Sequence, residues 1–161
     1  MKAYGLCDRG IIPHFCGTME HLDPDLYTPY LDPFRNDPNF PDAVLLEYIS
    51  GAEPLSRTNY TRQRMDKFME YLEEIHSTSV FHGDIHPRNM WIFPESVDRV
   101  MWVDFNRAQT YNEHQLTQRQ QDIIAKEATK LAELGDDMVR DNPSPHISSY
   151  AAFDDQRIPF D

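Results

Sequence analysis

Two short apolar runs, Met90 to Phe93 and Val100 to Val103, flank the polar stretch Pro94-Glu95-Ser96-Val97-Asp98-Arg99. Runs this short, separated by turn-forming and charged residues, pair as an antiparallel hairpin, and this hairpin limits what the rest of the chain can do. On its N-terminal side Met65, Phe68, Met69, Leu72 and Ile75 recur at the spacing of one helical face. Thr58 or Asn59 is the expected cap of that helix, and His76-Ser77-Thr78-Ser79 breaks it. The methionines of the stripe are core. On the C-terminal side Thr117 and Gln120 have capping-box spacing. They predict a second long helix whose stripe is Ile123, Ile124, Leu131, Leu134 and Met138, with a solvated charged face opposite.

The N-terminal third is less regular. Ala3-Tyr4-Gly5-Leu6 reads as the last turn of a helix stopped by Gly10, and Ile11-Ile12-Pro13-His14-Phe15 as a short strand. From His21 to Asp42 the dipeptide Asp-Pro occurs at 23–24, 32–33 and 37–38, and each proline biases the preceding residue away from the helical region. This predicts an excursion joining two strands. The second strand, Ala43-Val44-Leu45-Leu46-Glu47-Tyr48-Ile49, is a continuous apolar run of the kind buried on both faces, ended by Ser50-Gly51. From Asn142 onward, with Pro143, Pro145 and Pro159, the tail reads as irregular.

At 161 residues the chain can bury one core. A net charge of −12 repels a phosphate backbone, so nucleic acid is a poor expectation for a partner. No apolar run reaches the length of a membrane span, and Met1-Lys2-Ala3-Tyr4 lacks the apolar region of a signal peptide. The expected location is therefore cytoplasmic, with Cys7 and Cys16 as reduced, buried thiols.

The polar segment His82-Gly83-Asp84-Ile85-His86-Pro87-Arg88-Asn89 stands directly before the hairpin, and Asp104 closes the second strand. A hairpin brings its two ends side by side, so Asn89 and Asp104 are expected to be neighbours. An amide and a carboxylate oxygen facing one gap suit a hard cation such as Mg²⁺. Asp84, on the same rim, is placed to orient or deprotonate an attacking hydroxyl. His82 is expected to brace the loop through hydrogen bonds. Arg88 either contacts phosphate or substrate or is a solvated loop residue. Trp91 and Trp102 are expected in the core or as a cross-strand pair. A minor alternative is zinc on the alternating His82, Asp84 and His86, with further ligands from His14, His21, His114 or His146.

The octet resembles the catalytic loop of protein kinases, H-x-D-x-x-x-x-N. The Gly after the first His and the His-Pro before the Asn are closer to the aminoglycoside and choline phosphotransferase branch and to fungal kinase-like proteins. Val103-Asp104-Phe105-Asn106 stands where those families carry D-F-G or a variant of it, and Leu46-Glu47-Tyr48-Ile49 resembles their adenine-binding hinge. The resemblance covers roughly residues 3–111. It implies ATP and Mg²⁺ as cofactors, Asp84 as catalytic base, and Asn89 and Asp104 as metal ligands. It also implies a nucleotide site using Leu46 as gatekeeper, the backbone of Glu47 and Ile49, and Arg88. The implied fold is α+β and mainly helical: remnant N-lobe strands and hinge over 1–49, a helical lobe over 50–141 and a tail over 142–161.

Several family parts have no counterpart in this sequence. The Gly-rich loop, the V-A-I-K lysine strand, the helix C glutamate and the A-P-E signature are missing, and Asn106, which tolerates positive φ, replaces the usual Gly. Two readings follow: a phosphotransferase lobe transferring to an unidentified small-molecule or protein acceptor, weak without the missing lobe, or a truncated pseudokinase that acts as an interaction module.

Overall fold

The computed structural model describes residues 4–112 and 115–140, so the expectations for the tail and for His114 and His146 lie outside the described residues. In chain order the elements are β1 (Phe15–Met19), β2 (Ala43–Leu46), β3 (Glu53–Pro54), α1 (Arg62–Ser77), β4 (Val80–Phe81), β5 (Met90–Phe93), β6 (Ser96–Trp102), β7 (Gln109–Thr110) and α2 (Gln118–Val139). All strand pairings are antiparallel: β1 with β2, β3 with β5, β5 with β6, and β4 with β7. This is a small mixed α/β domain. It is not mainly helical, because Asp-Pro steps confine the segment after β1 to two 3₁₀ turns, Pro24–Tyr27 and Asp32–Phe34, each with proline in its first turn.

The core forms where α1 lies against the β5–β6 hairpin. Met65, Phe68, Leu72 and Ile75 bury one face of α1 among Met90, Ile92, Val100 and Trp102. Trp102 is fully buried; its indole N–H donates to the Phe68 carbonyl at 3.2 Å, and its ring meets Phe68 edge-on at 5.5 Å. Truncating such an aromatic to alanine costs about 3–5 kcal/mol. The second helix joins this core through Leu131 and Leu134, and it comes close to α1 where Gly135 faces Met65.

Both helices are capped, one as expected. Thr117 and Gln120 form the full capping box at the start of α2. Thr61, rather than Thr58 or Asn59, caps α1 by accepting from the Arg64 N–H at 3.1 Å. Asn59 is occupied in the preceding loop, where it accepts from Ser56 N–H and donates to Glu53 and the Pro54 carbonyl. The hairpin turn is shorter than its polar sequence implies, since Phe93 already pairs with Ser96.

The N-terminal strands depart further from expectation. Ile11 and Ile12 are core residues outside any strand, and β1 begins at Phe15. The apolar run of β2 is not buried on both faces: Val44 is 63% and Leu46 52% exposed, and Tyr48 beyond it is 92% exposed. One strand, β1, pairs with it among the described residues, and no second layer covers it. Cys7 is buried as expected, but Cys16 is an exposed free thiol on β1. No helix among the described residues is long and apolar enough to cross a membrane.

Candidate functional site

The segment between β4 and β5 turns on Gly83. Its φ of +84° lies in the left-handed region, and a Cβ there would run into the Arg107 carbonyl. Only glycine lets the loop pass so close to the chain that follows β6. Further along, His86 caps the single 3₁₀ turn Pro87–Asn89, its Nδ1 accepting from the Arg88 N–H at 3.2 Å. Pro87 supplies the fixed φ of that turn's first position.

This turn delivers Asn89, 2% exposed, beneath Asp84. Asn89 Nδ2 donates to Asp84 Oδ2 at 2.8 Å and to the Asp84 carbonyl at 3.0 Å. Arg88 donates to the same Oδ2 at 2.8 Å. Burial pushes the Asp84 carboxyl upward, but the hydrogen bonds from Arg88 and Asn89 and the positive charges of Arg88 and Arg107 outweigh it and hold the group below its ordinary range. Asp84 is therefore an ionised, oriented carboxylate with little appetite for a proton.

Asp104 arrives from the other end of the hairpin. The Val103 N–H donates to the Asn89 carbonyl at 3.0 Å, which sets the end of β6 beside the start of β5. Asp104 adopts φ +63° and is exposed. The sequence pointed to Asn106 for positive φ; Asp104 itself takes it. Asp104 also lines a cleft of ≈ 250 Å³ together with Pro13, Leu46, Glu47, Tyr48, Ile49, Trp91 and Val103. The candidate residues thus form two adjoining groups. Asp84, Arg88 and Asn89 are in mutual contact, Asp104 shares a cleft with Leu46, Glu47 and Ile49, and the Asn89–Val103 backbone bond joins the two.

The brace expected of His82 is present. Its side chain is fully buried, with Nε2 3.1 Å from the Val103 carbonyl and its ring tilted against Trp102 and Phe105, centroids at 5.0 and 4.5 Å. Burial, only partly offset by Glu127 and the Val103 carbonyl, holds the imidazole below its ordinary value. A neutral ring donating through Nε2 leaves Nδ1 as a buried acceptor with no partner. With His82 turned to the Val103 carbonyl and His86 to the Arg88 N–H, neither imidazole is set up for a shared zinc. Among the described residues no group of three or more His, Cys, Asp or Glu side chains could hold a metal ion. Trp91 and Trp102 are offset rather than paired, each facing a methionine across the hairpin. Trp91 instead donates to the Arg88 carbonyl at 3.0 Å and walls the cleft.

One residue of the site escaped sequence reasoning. Glu127 of α2 is 3% exposed, and its two carboxylate oxygens accept from the His82 N–H at 3.0 Å, the Gly83 N–H at 2.8 Å and His76 Nε2 at 2.8 Å. It ties the loop carrying Asp84 to both helices. A signal existed: Glu127 falls on the same face as Ile124, Leu131 and Leu134, where an acid has no business unless it is paired.

An amide oxygen from Asn89 and a carboxylate from Asp104 are the hard donors that Mg²⁺ takes. Both Asn89 side-chain bonds use its Nδ2, and neither engages the amide oxygen. No protein-family model, curated protein or solved structure matches this chain.

Proposed function

We propose that the chain is the phosphotransfer lobe of a kinase-like, ATP- and Mg²⁺-dependent phosphotransferase that acts on a hydroxyl acceptor. The observation that carries this reading is the junction at the hairpin base, where Asp84 and Asn89 are hydrogen-bonded together and Asn89 is bonded to the residue preceding Asp104. In this reading Asn89 and Asp104 hold Mg²⁺, which when bound neutralises charge on the phosphate oxygens. The backbone of Glu47 and Ile49, with Leu46 at the rear, meets adenine in the cleft. In this reading Asp104, on the cleft wall, and Arg88, bonded to Asp84, would face the phosphates.

Asp84 then orients the acceptor hydroxyl. Its depressed proton affinity fits a loose phosphoryl-transfer transition state, in which the nucleophile loses its proton late and needs positioning more than deprotonation. Charge-assisted phosphate contacts are worth about 1.5–3 kcal/mol each, and within these 161 residues no Gly-rich loop or lysine strand supplies them.

Thermal unfolding of the chain with Mg²⁺–ATP tests this. A nucleotide at about a hundred times Kd adds about 2.7 kcal/mol, so Tm rises with ligand concentration and Asp104→Ala abolishes the Mg²⁺-dependent part of the rise. An absent shift at millimolar nucleotide, or an unchanged shift in Asp104→Ala, removes the proposal. The second reading, a pseudokinase interaction module, draws support from the large apolar side chains left in solvent around β2. It is favoured if nucleotide binding fails while the fold is intact.

A further inference from the structure

We infer that the open edge of β2 is a docking site for an extended, lysine- or arginine-rich segment of another protein, added as a third strand beside β1 and β2. Three observations converge on it. The first is the edge itself. Glu47 N–H donates to the His14 carbonyl on the β1 side, and backbone groups alternate along a strand. Leu45 therefore faces β1, while the N–H and C=O of Val44 and Leu46 point away from it. Among the described residues no strand pairs with that edge, and a two-stranded ribbon is by itself marginal in water.

The second is apolar exposure. Most of the large apolar side chains left in solvent among the described residues lie between Met19 and Tyr48, including Leu26 at 78%, Tyr30 at 85% and Val44 at 63%. Such concentration marks an interaction surface. The third is charge. From Phe15 to Ile49 the chain has no lysine and a single arginine, Arg35, which is held by Asp25 and Asp32. Asp42 and Glu47 bracket the strand directly, and exposed Glu20 follows Met19, the β1 partner of Ala43.

Charge also decides between occupants. A second copy would bring its own Asp42 and Glu47 to an edge already bracketed by Asp42 and Glu47, adding like charge to like charge. A strand with an apolar centre and basic ends has the opposite sign at both positions. Backbone pairing supplies affinity, and the flanking charges and exposed apolar side chains supply selection.

The probe is a short fluorescent peptide of alternating valine and threonine with lysines at both ends, titrated into the full chain and followed by anisotropy. Nucleotide and Mg²⁺ are omitted, so the result is independent of the phosphotransfer proposal. Saturable binding that weakens with salt is expected. The glutamate-ended peptide, and a lysine-ended peptide with proline in its centre, bind about tenfold more weakly or worse. On the protein, Glu47→Lys weakens the lysine peptide roughly two- to fivefold, as befits one partly exposed charge pair. Val44→Pro, which removes an outward N–H and leaves the bonds to β1, abolishes binding. Should Val44→Pro fail to fold, the Glu47→Lys result and the peptide comparison still decide. Equal binding of the lysine and glutamate peptides, no binding of either, or a β2-dependent dimer in sedimentation would each overturn the inference.

Discussion

Replacing Glu127 by alanine tests whether α2 holds the candidate loop in place. The carboxylate is the acceptor for two backbone N–H groups, those of His82 and Gly83, and lies 2.8 Å from His76 Nε2, all at a point its side chain shields to 2% exposure. An alanine offers no acceptor, and the cavity left behind is lined by donors. Each buried N–H left without a partner costs about 1–3 kcal/mol, so the two together cost about 2–6 kcal/mol before any loss at His76. Against a total of about 5–15 kcal/mol for a domain, that is a large share. In urea, with a slope of about 1–3 kcal/mol/M, the midpoint falls by about 1–2 M or more. Glu127→Gln keeps one oxygen but sets its NH₂ against the remaining N–H, and so lies between wild type and Glu127→Ala. Equilibrium unfolding followed by circular dichroism gives the midpoint, and amide exchange at His82 and Gly83 gives the local effect. A loss under about 1 kcal/mol in Glu127→Ala, with both amides still protected, would refute the reasoning.

Gly83→Ala forces a Cβ onto the Arg107 carbonyl at a left-handed φ, and its unfolding free energy falls by at least about 2 kcal/mol in the same urea assay. His82 is kept neutral by burial, so its folded-state proton affinity is below the ordinary 6.5; the associated stability is complete above 6.5 and is lost as pH falls from there through the folded-state value. Melting curves across that window therefore drop more steeply for wild type than for His82→Gln. Asp84 is also depressed, below its ordinary 3.8, so its contribution persists above 3.8 and disappears as pH falls through the folded-state value. Asp84→Asn accordingly flattens the acid limb below 3.8 while leaving the slope near neutrality untouched.

Local chemistry made part of this molecule readable. The capping box of α2 joins residues three apart, and the stripe of α1 repeats within one helix, so both could be taken from the letters alone. The hairpin and the closeness of Asn89 to the end of β6 follow from its two apolar runs. What stayed hidden depends on partners distant in sequence. Glu127 looks like one more charge on a charged helix until its donors, His76, His82 and Gly83, are brought round from α1 and the loop. The apolar run of β2 signals burial, yet burial needs a covering layer, and no described element supplies one. The cap of α1 moved to Thr61 because Asn59 had a competing set of bonds in its own loop.

Adjacent hairpin strands carry the two tryptophans in unlike settings. Trp102 is sealed beneath α1 with its ring 5.0 Å from His82, whereas Trp91 stands half-buried in the wall of the cleft. The chain thus contains a pair of built-in optical reporters. Emission from Trp102 follows the melting of the interior, emission from Trp91 follows whatever enters between Leu46 and Asp104, and replacing either one by phenylalanine isolates the other signal.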